Sequence, residues 1–350
     1  MRPKRSALPA ASAANVDLAR CGAYDVRMRV LYIGGTGEIS WDCIHETVRL
    51  GHEVTVFNRG HHNAGLPASC RFVTGDVEDA AGYGRLAAAN FDVVCQFRLF
   101  SPVALRRDLA LFTGHCGQYV CISSASVYTK PVRNLPITEK TPIGNPLWAY
   151  SQAKAEMEAL LGAQDRLPFT IVRPSHTYRT RMPTPLGANI EVSRLLRGKP
   201  AVVHGDGESL WTVTHAEDFA RPFARLLGNR RAFGETFHIT SDRSWSWNEI
   251  FEAIAAALGL SSCPMVHVAT DTLVAYNPEW RGPLHGDKAP SVRFDNRKVK
   301  SVVGYFDCPI DPWQGMRIVA ERFPPSAADF DPKLDQLIDR IVAEQGALGA

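Results

Sequence analysis

The amino-acid sequence predicts an α/β fold in which helices wind a parallel sheet on both faces, followed by a smaller C-terminal α+β part. Three observations predict it. Short apolar runs alternate with helical patterns from Met28 to about Pro174, a glycine-rich turn follows the first run, and the pattern becomes irregular after Pro174. Such alternation is typical of parallel strands joined by crossover helices.

The apolar runs of the first half predict six strands, at residues 28–33, 53–57, 71–74, 92–96, 118–123 and 169–173. Periodicity predicts five further elements, namely helices at 38–50, 148–162, 191–198 and 217–227 and a strand at 235–239. Ser246 and Glu249 have the spacing of a capping box and therefore predict another helix start. We expect some segments of the later part to return to the main sheet.

The composition is that of an ordinary globular protein. The 350 residues are 45% hydrophobic and 21% charged, with a net charge of +3, which indicates no special partner. No apolar stretch reaches the roughly eighteen residues of a membrane span, so we expect no membrane partner. The eight cysteines include no Cys-x-x-Cys pair. They are typical of reduced thiols, and we expect a cytoplasmic protein.

The chain divides into three predicted regions. Residues 1–27 are interpreted as a disordered extension, because the first fifteen are rich in alanine, proline and basic residues and lack the apolar core of a signal peptide. Residues 28–175 form the first domain and residues 176–350 the second. His61 and His62 have no third ligand nearby in the sequence, so we expect no metal.

The turn after the first strand has the composition of a dinucleotide site. Gly34, Thr36 and Gly37 lie between an apolar run and a helical pattern. Glycines there let the backbone approach a pyrophosphate, and the helix N-terminus offers N–H groups and a positive dipole end. Ser40 stands at the usual third glycine and is small enough for helix and strand to pack. The first domain is therefore predicted to be a Rossmann-type NAD(P)-binding domain, and the second to bind substrate.

Asn58 and Arg59 bear on the choice of cofactor. They follow the second strand, where NAD sites usually carry a carboxylate for the ribose hydroxyls. Without the carboxylate a 2′-phosphate meets no repulsion, and Arg59 is placed to pair with it. NADP is therefore favoured over NAD. The alternative interpretation of Arg59 is a solvated turn residue.

Three further residues predict acid–base chemistry. Ser124 ends an apolar strand, and ligands bind at the carboxyl ends of strands in open α/β sheets. Tyr150 and Lys154 are four residues apart in a helical pattern and so share one face. A free tyrosine has a pKa of about 10, which a nearby ammonium lowers. Tyr150 is thus the predicted acid/base, with Ser124 holding the substrate oxygen and Lys154 assisting.

These motifs resemble the extended or atypical short-chain dehydrogenase/reductase superfamily, in its NAD(P)-dependent sugar epimerase/dehydratase branch. The resemblance covers nearly the whole chain from Met28 onward and rests on Gly34–Ser40, Gly75–Val77, Ser123–Tyr128, Tyr150 with Lys154, Arg173–His176, Gly205–Gly207 and Val213–Asp218. It implies that Ser124, Tyr150 and Lys154 are catalytic. Beyond the turn and the Asn58–Arg59 pair, we expect cofactor contacts from Glu38, Ile39, Asp76, Val77, Ser123, Tyr150, Lys154 and Pro174. We expect substrate contacts from Ser124, Ser126, Trp148, His176, Arg179 and Trp211.

Departures from the family pattern bear on the substrate. Trp211 stands where an arginine often grips a nucleotide diphosphate, which puts a nucleoside-diphosphate sugar in doubt. Arg179, Arg181, Arg221 and Lys288 are candidate substitutes for that charge, each more simply interpreted as a solvated surface residue. Glu38 replaces an aromatic residue, and a carboxylate near a pyrophosphate is unfavourable unless it points away or binds substrate. Trp148 and Trp211 have core packing as their alternative interpretation.

The sequence thus predicts an NAD(P)-dependent oxidoreductase or epimerase acting on a sugar-containing small molecule. Ala125 and Ser126 are not acidic, which favours epimerisation or reduction over dehydration. The alternative is a nucleotide-sensing or RNA-binding protein on the same fold, because the subgroup also resembles chloroplast stem-loop RNA-binding relatives. The chain has no dense basic cluster with interleaved aromatics, so we do not expect nucleic acid. The resemblance implies a homodimer formed through residues 102–114 and 149–163.

Overall fold

The computed structural model describes residues 27–187, 189–324 and 330–346. The extension predicted for residues 1–27 lies outside these ranges except for Arg27. The strands are β1 (Arg29–Ile33), β2 (Glu53–Asn58), β3 (Arg71–Thr74), β4 (Phe91–Gln96), β5 (Cys116–Ile122), β6 (Phe169–Pro174), β7 (His176–Tyr178), β8 (Ala201–His204), β9 (Leu210–Trp211), β10 (Val213–His215), β11 (Glu235–Ile239), β12 (Trp245–Ser246) and β13 (Met265–Val268).

Helices connect and cover these strands. They are α1 (Ser40–Arg49), α2 (Ala80–Gly84), α3 (Pro102–Phe112), α4 (Ala149–Gly162), α5 (Ile190–Leu196), α6 (Ala216–Ala224), α7 (Trp247–Ala257), α8 (Thr270–Tyr276), α9 (Arg281–Pro283), α10 (Arg297–Val303), α11 (Pro312–Arg322) and α12 (Pro332–Gly346). Short 3₁₀ or π turns lie at Arg85–Ala89, Ala125–Val127, Arg230–Ala232, Pro278–Trp280 and Leu284–Lys288.

Seven strands form one parallel sheet in the order β3-β2-β1-β4-β5-β6-β11. The chain starts in the middle and winds outwards twice, so the order reverses between β1 and β4. Ligands bind beyond the carboxyl ends of the strands at such a reversal. The last strand, β11, comes from the chain after residue 176 and pairs with β6. The predicted α/β class, with a parallel sheet and a smaller C-terminal part, is confirmed.

Strand β1 shows why the sheet is covered on both faces. Its side chains alternate, and all four from Val30 to Ile33 are fully buried. Val30 and Tyr32 pack with residues of α1 and α6, whereas Leu31 and Ile33 pack with residues of α3 and α4. A run without polar positions is what a strand between two helical layers requires.

The smaller part has a separate aromatic core. Trp211, Trp245 and Trp247 are nearly inaccessible and pack with Phe251 of α7. The predicted capping box is confirmed, because Ser246 Oγ accepts from Glu249 N at 3.2 Å and the Glu249 carboxylate accepts from Ser246 N at 2.7 Å. This core fixes β9 and β12 beside the carboxyl ends of the main sheet, where the site is built.

Two further observations concern only the described ranges. None of their helices combines the length and apolar content needed to cross a bilayer. Nor do three His, Cys, Asp or Glu side chains within them come together as ligands for one metal ion.

Candidate active site

The glycine turn is closed by Ser40 and covered by Arg98. Gly34 has a φ of +80°, and a Cβ built there would lie 2.1 Å from Arg98 Cγ, so a side chain would meet both backbone strain and a clash. Ser40 Oγ donates to Gly34 O and accepts from Gly37 N, each at 3.0 Å. The serine therefore ties two glycines together as well as fitting at the third position. Ile39 packs its side chain against the core, so any cofactor contact there would come from its backbone.

A cavity of about 220 Å³ opens beyond this turn. Its walls include seven of the predicted cofactor residues, namely Gly34, Thr36, Gly37, Asn58, Arg59, Asp76 and Val77. Asn58 accepts from Gly60 N and donates to Asn63 Oδ1, each at 2.7 Å, and so shapes the turn that carries Arg59. Arg98 also lines this cavity, and the sequence analysis did not single it out. The glycine turn carries no side chain at Gly34 or Gly37, and Arg59 and Arg98 line the cavity beside it. This arrangement fits the phosphates of a dinucleotide.

Glu38 points away from the pyrophosphate side of the turn. Its carboxylate accepts from Arg179 N at 2.9 Å, from Thr180 N at 2.8 Å and from the Thr180 hydroxyl. Arg179, an expected substrate contact, does not line the two cavities that Trp148 lines. Its guanidinium pairs with Asp42 at 3.3 Å and lies 4.5 Å from the centre of the Trp41 ring. Glu38 and Arg179 thus fasten the segment after β7 onto α1.

Tyr150 and Lys154 lie one turn apart on α4, as predicted from their spacing. Lys154 Nζ is 5.6 Å from the centre of the Tyr150 ring and donates to Leu99 O and Ile122 O, each at 2.7 Å. Ile122 is the last residue of β5, and Leu99 lies in the segment that follows β4. Because an ammonium has three donors, one remains for an oxygen of a bound molecule.

The protonation of the pair is governed by burial. Burial raises the pKa of the Tyr150 phenol, and a hydrogen bond with Ser124 opposes that rise. Burial also lowers the pKa of Lys154, while the charges of Cys121 and Glu158 oppose that fall. Since tyrosine has an ordinary pKa of about 10, the phenol is protonated at neutral pH and can donate a proton.

A buried ion pair lies between α4 and the end of β6. Glu158, one turn after Lys154, pairs with Arg173 at the end of β6, and the two side chains are 4% and 5% exposed. Ser123 Oγ donates to the same carboxylate at 2.5 Å. The hydroxyl of Ser123 therefore binds the Glu158–Arg173 ion pair, whereas Ser124 lines the adjoining cavity.

That cavity, of about 190 Å³, adjoins Tyr150. Its walls include seven predicted site residues, namely Ser124, Ser126, Trp148, Tyr150, Pro174, His176 and Trp211. They also include three charged residues, Lys130, Asp287 and Lys288. The interpretation of Lys288 as a solvated surface residue is wrong, because its side chain is 15% exposed and lines this cavity. The sequence analysis did not predict Lys130 as a site residue, because nothing in the neighbouring sequence distinguishes it from other loop lysines.

Trp211 serves both as core and as cavity wall. It stacks on Trp247 with ring centres 5.6 Å apart, and its Nε1 donates to His176 Nδ1 at 3.1 Å. Burial lowers the pKa of His176 to about 3, so the imidazole stays neutral and accepts this bond. The two interpretations of Trp211 left open by the sequence, packing and substrate contact, are therefore compatible.

A third cavity, of about 370 Å³, shares Trp148, His176 and Lys288 with the cavity beside Tyr150. Its other walls include Met182 and Leu186, which are apolar. The two cavities are therefore neighbours, and the larger one lies on the side of the segment after β7.

Comparison with known proteins gives a family and several relatives. The model of the NAD dependent epimerase/dehydratase family matches residues 30–240. The chain is 28% identical over 256 residues to the 2′-dehydrokanamycin reductase of Streptomyces kanamyceticus, covering 68% of this chain and 69% of that protein. It is also 28% identical over 269 residues to chloroplast stem-loop binding protein of 41 kDa b of Arabidopsis thaliana, covering 72% of this chain and 66% of that protein.

Solved structures share the fold. The UDP-glucose 4-epimerase of Thermotoga maritima, solved with UDP-glucose, superposes with a TM-score of 0.69 at 20% identity. The match covers 85% of this chain and 98% of that structure. At this identity the similarity demonstrates the architecture and leaves the substrate to be argued from the cavity.

Proposed function

We propose that this chain, which belongs to the NAD dependent epimerase/dehydratase family, is an enzyme that binds NADP and acts on a hydroxyl or ketone of a sugar-containing small molecule. The segment Arg98–Phe100 carries the proposal, because it joins the two halves of the site. Arg98 lies over Gly34 of the turn, and Leu99 O accepts from Lys154 of the catalytic helix. When bound, the dinucleotide supplies or accepts the hydride.

The side chains around Tyr150 perform the proton chemistry. Tyr150 gives its proton to a ketone oxygen or takes one from a hydroxyl, and Ser124 orients that oxygen. Lys154 has a third donor that would hold a ribose hydroxyl of a bound dinucleotide. Trp148, with its ring centre 4.8 Å from that of Tyr150, and the nearly inaccessible Trp211 exclude water from the reacting carbon.

Two arginines of the cofactor cavity support the binding of NADP in preference to NAD. Arg59 and Arg98 both line the cavity beyond the glycine turn, and Asn58 there places no carboxylate against a 2′-phosphate. Guanidinium groups bind phosphate through paired charged hydrogen bonds, so either arginine strengthens the binding of the additional phosphate.

Reduction or epimerisation fits the cavity better than dehydration does. Ala125 and Ser126 follow the catalytic serine and supply no carboxyl group. The relative from Streptomyces kanamyceticus is named a 2′-dehydrokanamycin reductase, and that name supports reduction. We propose that a sugar ring occupies the cavity of about 190 Å³ beside Tyr150.

The first test is to denature the purified protein and to identify any released nucleotide by mass spectrometry, followed by fluorescence titration with NADPH and NADH. Retained oxidised dinucleotide supports an epimerase, which regenerates its cofactor in each cycle. NADPH that binds only on titration supports a reductase. Binding of neither nucleotide would overturn the proposal and would lead to a gel-shift assay with a stem-loop RNA.

The second test concerns Tyr150. We expect Tyr150→Phe to retain NADPH binding and to lose turnover, measured as NADPH oxidation at 340 nm with a panel of keto-sugars. Tyr305→Phe is the matched control, because Tyr305 is 77% exposed. Full turnover by the Tyr150 variant would contradict the assigned role.

A further inference from the structure

Lys130 is a buried residue whose ammonium makes no hydrogen bond within the part of the chain that the structure describes. It lines the cavity beside Tyr150 and is only 6% exposed. Among the described residues, its ammonium approaches the Trp211 ring, at 5.9 Å from the ring centre, and interacts at longer range with Asp287 and Lys288. A buried charge is costly unless a partner of opposite sign is close. The cavity itself is the remaining place for that partner.

Lys288 is held in position by its backbone. Its carbonyl oxygen accepts from Trp247 Nε1 at 3.1 Å and lies 3.2 Å from His204 Nε2. Its ammonium lies 5.8 Å from the centre of the Trp148 ring and 3.7 Å from Asp287 Oδ2. The side chain is therefore presented to the cavity from a fixed position.

The segment that carries Lys288 is also hydrogen-bonded, through Asn145, to the turn that follows Ser124. Asn145 is fully buried and donates through Nδ2 to Ser126 O at 2.9 Å and to Gly286 O at 2.5 Å. Lys288 is thus held at the cavity that Ser124 and Tyr150 line, and Lys130 lines the same cavity from a distant part of the chain.

We propose that Lys130 and Lys288 form an anion-binding subsite and that the substrate carries a carboxylate group. The proposal rests on the proposed function in one respect, since it takes the cavity beside Tyr150 as the substrate site. The residues named here are distinct from the acid–base group, and their role is to select the substrate.

The charges of the cavity decide the class of anion. Burial lowers the pKa of Lys130, and a bound carboxylate would favour its protonated form. With both lysines protonated, two lysines and one aspartate leave a single positive charge. A carboxylate neutralises it, whereas a phosphate monoester, with a charge of about −1.5 to −2 at neutral pH, leaves an excess of negative charge. An ammonium group of an amino sugar would add a like charge to a closed space. The subsite therefore favours an acidic sugar over a neutral or basic one.

The experiment measures the affinity of three probes of similar size. D-glucuronate, D-glucose and D-glucosamine are titrated by isothermal calorimetry into the full chain saturated with NADP⁺. We expect glucuronate to bind about tenfold more tightly than glucose, as loss of a hydrogen bond to a charged group predicts, and glucosamine to bind most weakly. Lys130→Met and Lys288→Met should each remove most of the preference for glucuronate.

Lys140→Met is the matched control, because Lys140 is exposed on the same loop as Lys130. The control should keep the preference, and NADPH should bind all variants alike, which reports that they are folded. No binding of glucuronate, equal affinity for all three sugars, or a preference that survives in Lys130→Met would overturn the proposal. If glucuronate is selected but hydride transfer is absent, the proposed function fails while the subsite stands.

Discussion

Removal of the Glu158 carboxylate tests whether the buried ion pair between α4 and β6 stabilises the fold. In Glu158→Ala, Arg173 stays buried, with its guanidinium 4.8 Å from the centre of the Tyr128 ring and no carboxylate beside it. Ser123 also loses its acceptor. Breaking a buried pair by removing one partner costs about 3–5 kcal/mol, because the other charge is left without compensation.

The predicted loss of about 3–5 kcal/mol is large compared with the free energy of unfolding of an ordinary domain. A natural domain unfolds with about 5–15 kcal/mol, so the variant is expected to lose a substantial share of its free energy of unfolding. The measurement is urea denaturation followed by tryptophan fluorescence, at equal slopes for the compared proteins. Glu156→Ala is the matched control on the same helix. Glu156 is exposed, so its replacement should change the free energy of unfolding by no more than about 0.5 kcal/mol.

A double variant separates charge from packing. Glu158→Met with Arg173→Met replaces both charges by apolar groups, and we expect it to recover most of the stability lost by Glu158→Ala. A loss below about 1 kcal/mol in the single variant would refute the reasoning, since solvated pairs give values of that size. A double variant less stable than the single would show that Arg173 has another essential partner.

Three further predictions follow from single contacts. Arg59→Ala should weaken NADPH binding about tenfold or more in fluorescence titration and leave NADH unchanged, and an equal loss for both nucleotides would contradict the 2′-phosphate contact. Burial raises the pKa of Glu191 from 4.5 to about 7, so the folded carboxyl keeps a proton that the unfolded one releases. Its stabilising contribution is therefore complete below pH 4.5 and falls by about 3 kcal/mol as pH rises to 7. In Glu191→Gln that share of the pH dependence of Tm should vanish, and an unchanged slope would argue against the assignment. Asn145→Ala removes the donor to Ser126 O and Gly286 O. Hydrogen exchange should then accelerate in the segment around Gly286 but not in α3, and equal acceleration in both would indicate general destabilisation.

The sequence was sufficient for those parts of the molecule that depend on local patterns. The alternation of β1 between two buried faces, the glycine turn and the capping box of α7 each follow from residues within a few positions of one another. The i, i+4 spacing of Tyr150 and Lys154 likewise determines that they share a helix face. Local geometry of this kind is determined by backbone conformation and periodicity, which are properties of short segments.

The charged walls of the cavity could not be predicted in that way. Lys130 and Lys288 line one cavity although they are far apart in the sequence. Lys288 is placed there because Asn145 donates to a carbonyl 141 residues later in the chain and because Trp247 donates to the carbonyl of Lys288. Glu38 shows the same limit. The sequence indicated only that its carboxylate must avoid the pyrophosphate or bind substrate, and the N–H groups that take it away belong to residues more than 140 positions later.

Under the proposed function, the charges around Tyr150 favour reduction of a ketone over oxidation of a hydroxyl. Burial and the negative charge of Asp287 both raise the pKa of the phenol, so the resting site holds a protonated tyrosine. A protonated tyrosine is the proton donor that reduction of a ketone requires, whereas oxidation of a hydroxyl first requires the phenolate. Ser124 and an oxidised, positively charged nicotinamide lower the same pKa, but the reduced nicotinamide carries no such charge. If the proposed function holds, we expect the complex with reduced dinucleotide to match the protonated Tyr150, and ketone reduction to be the first half-reaction.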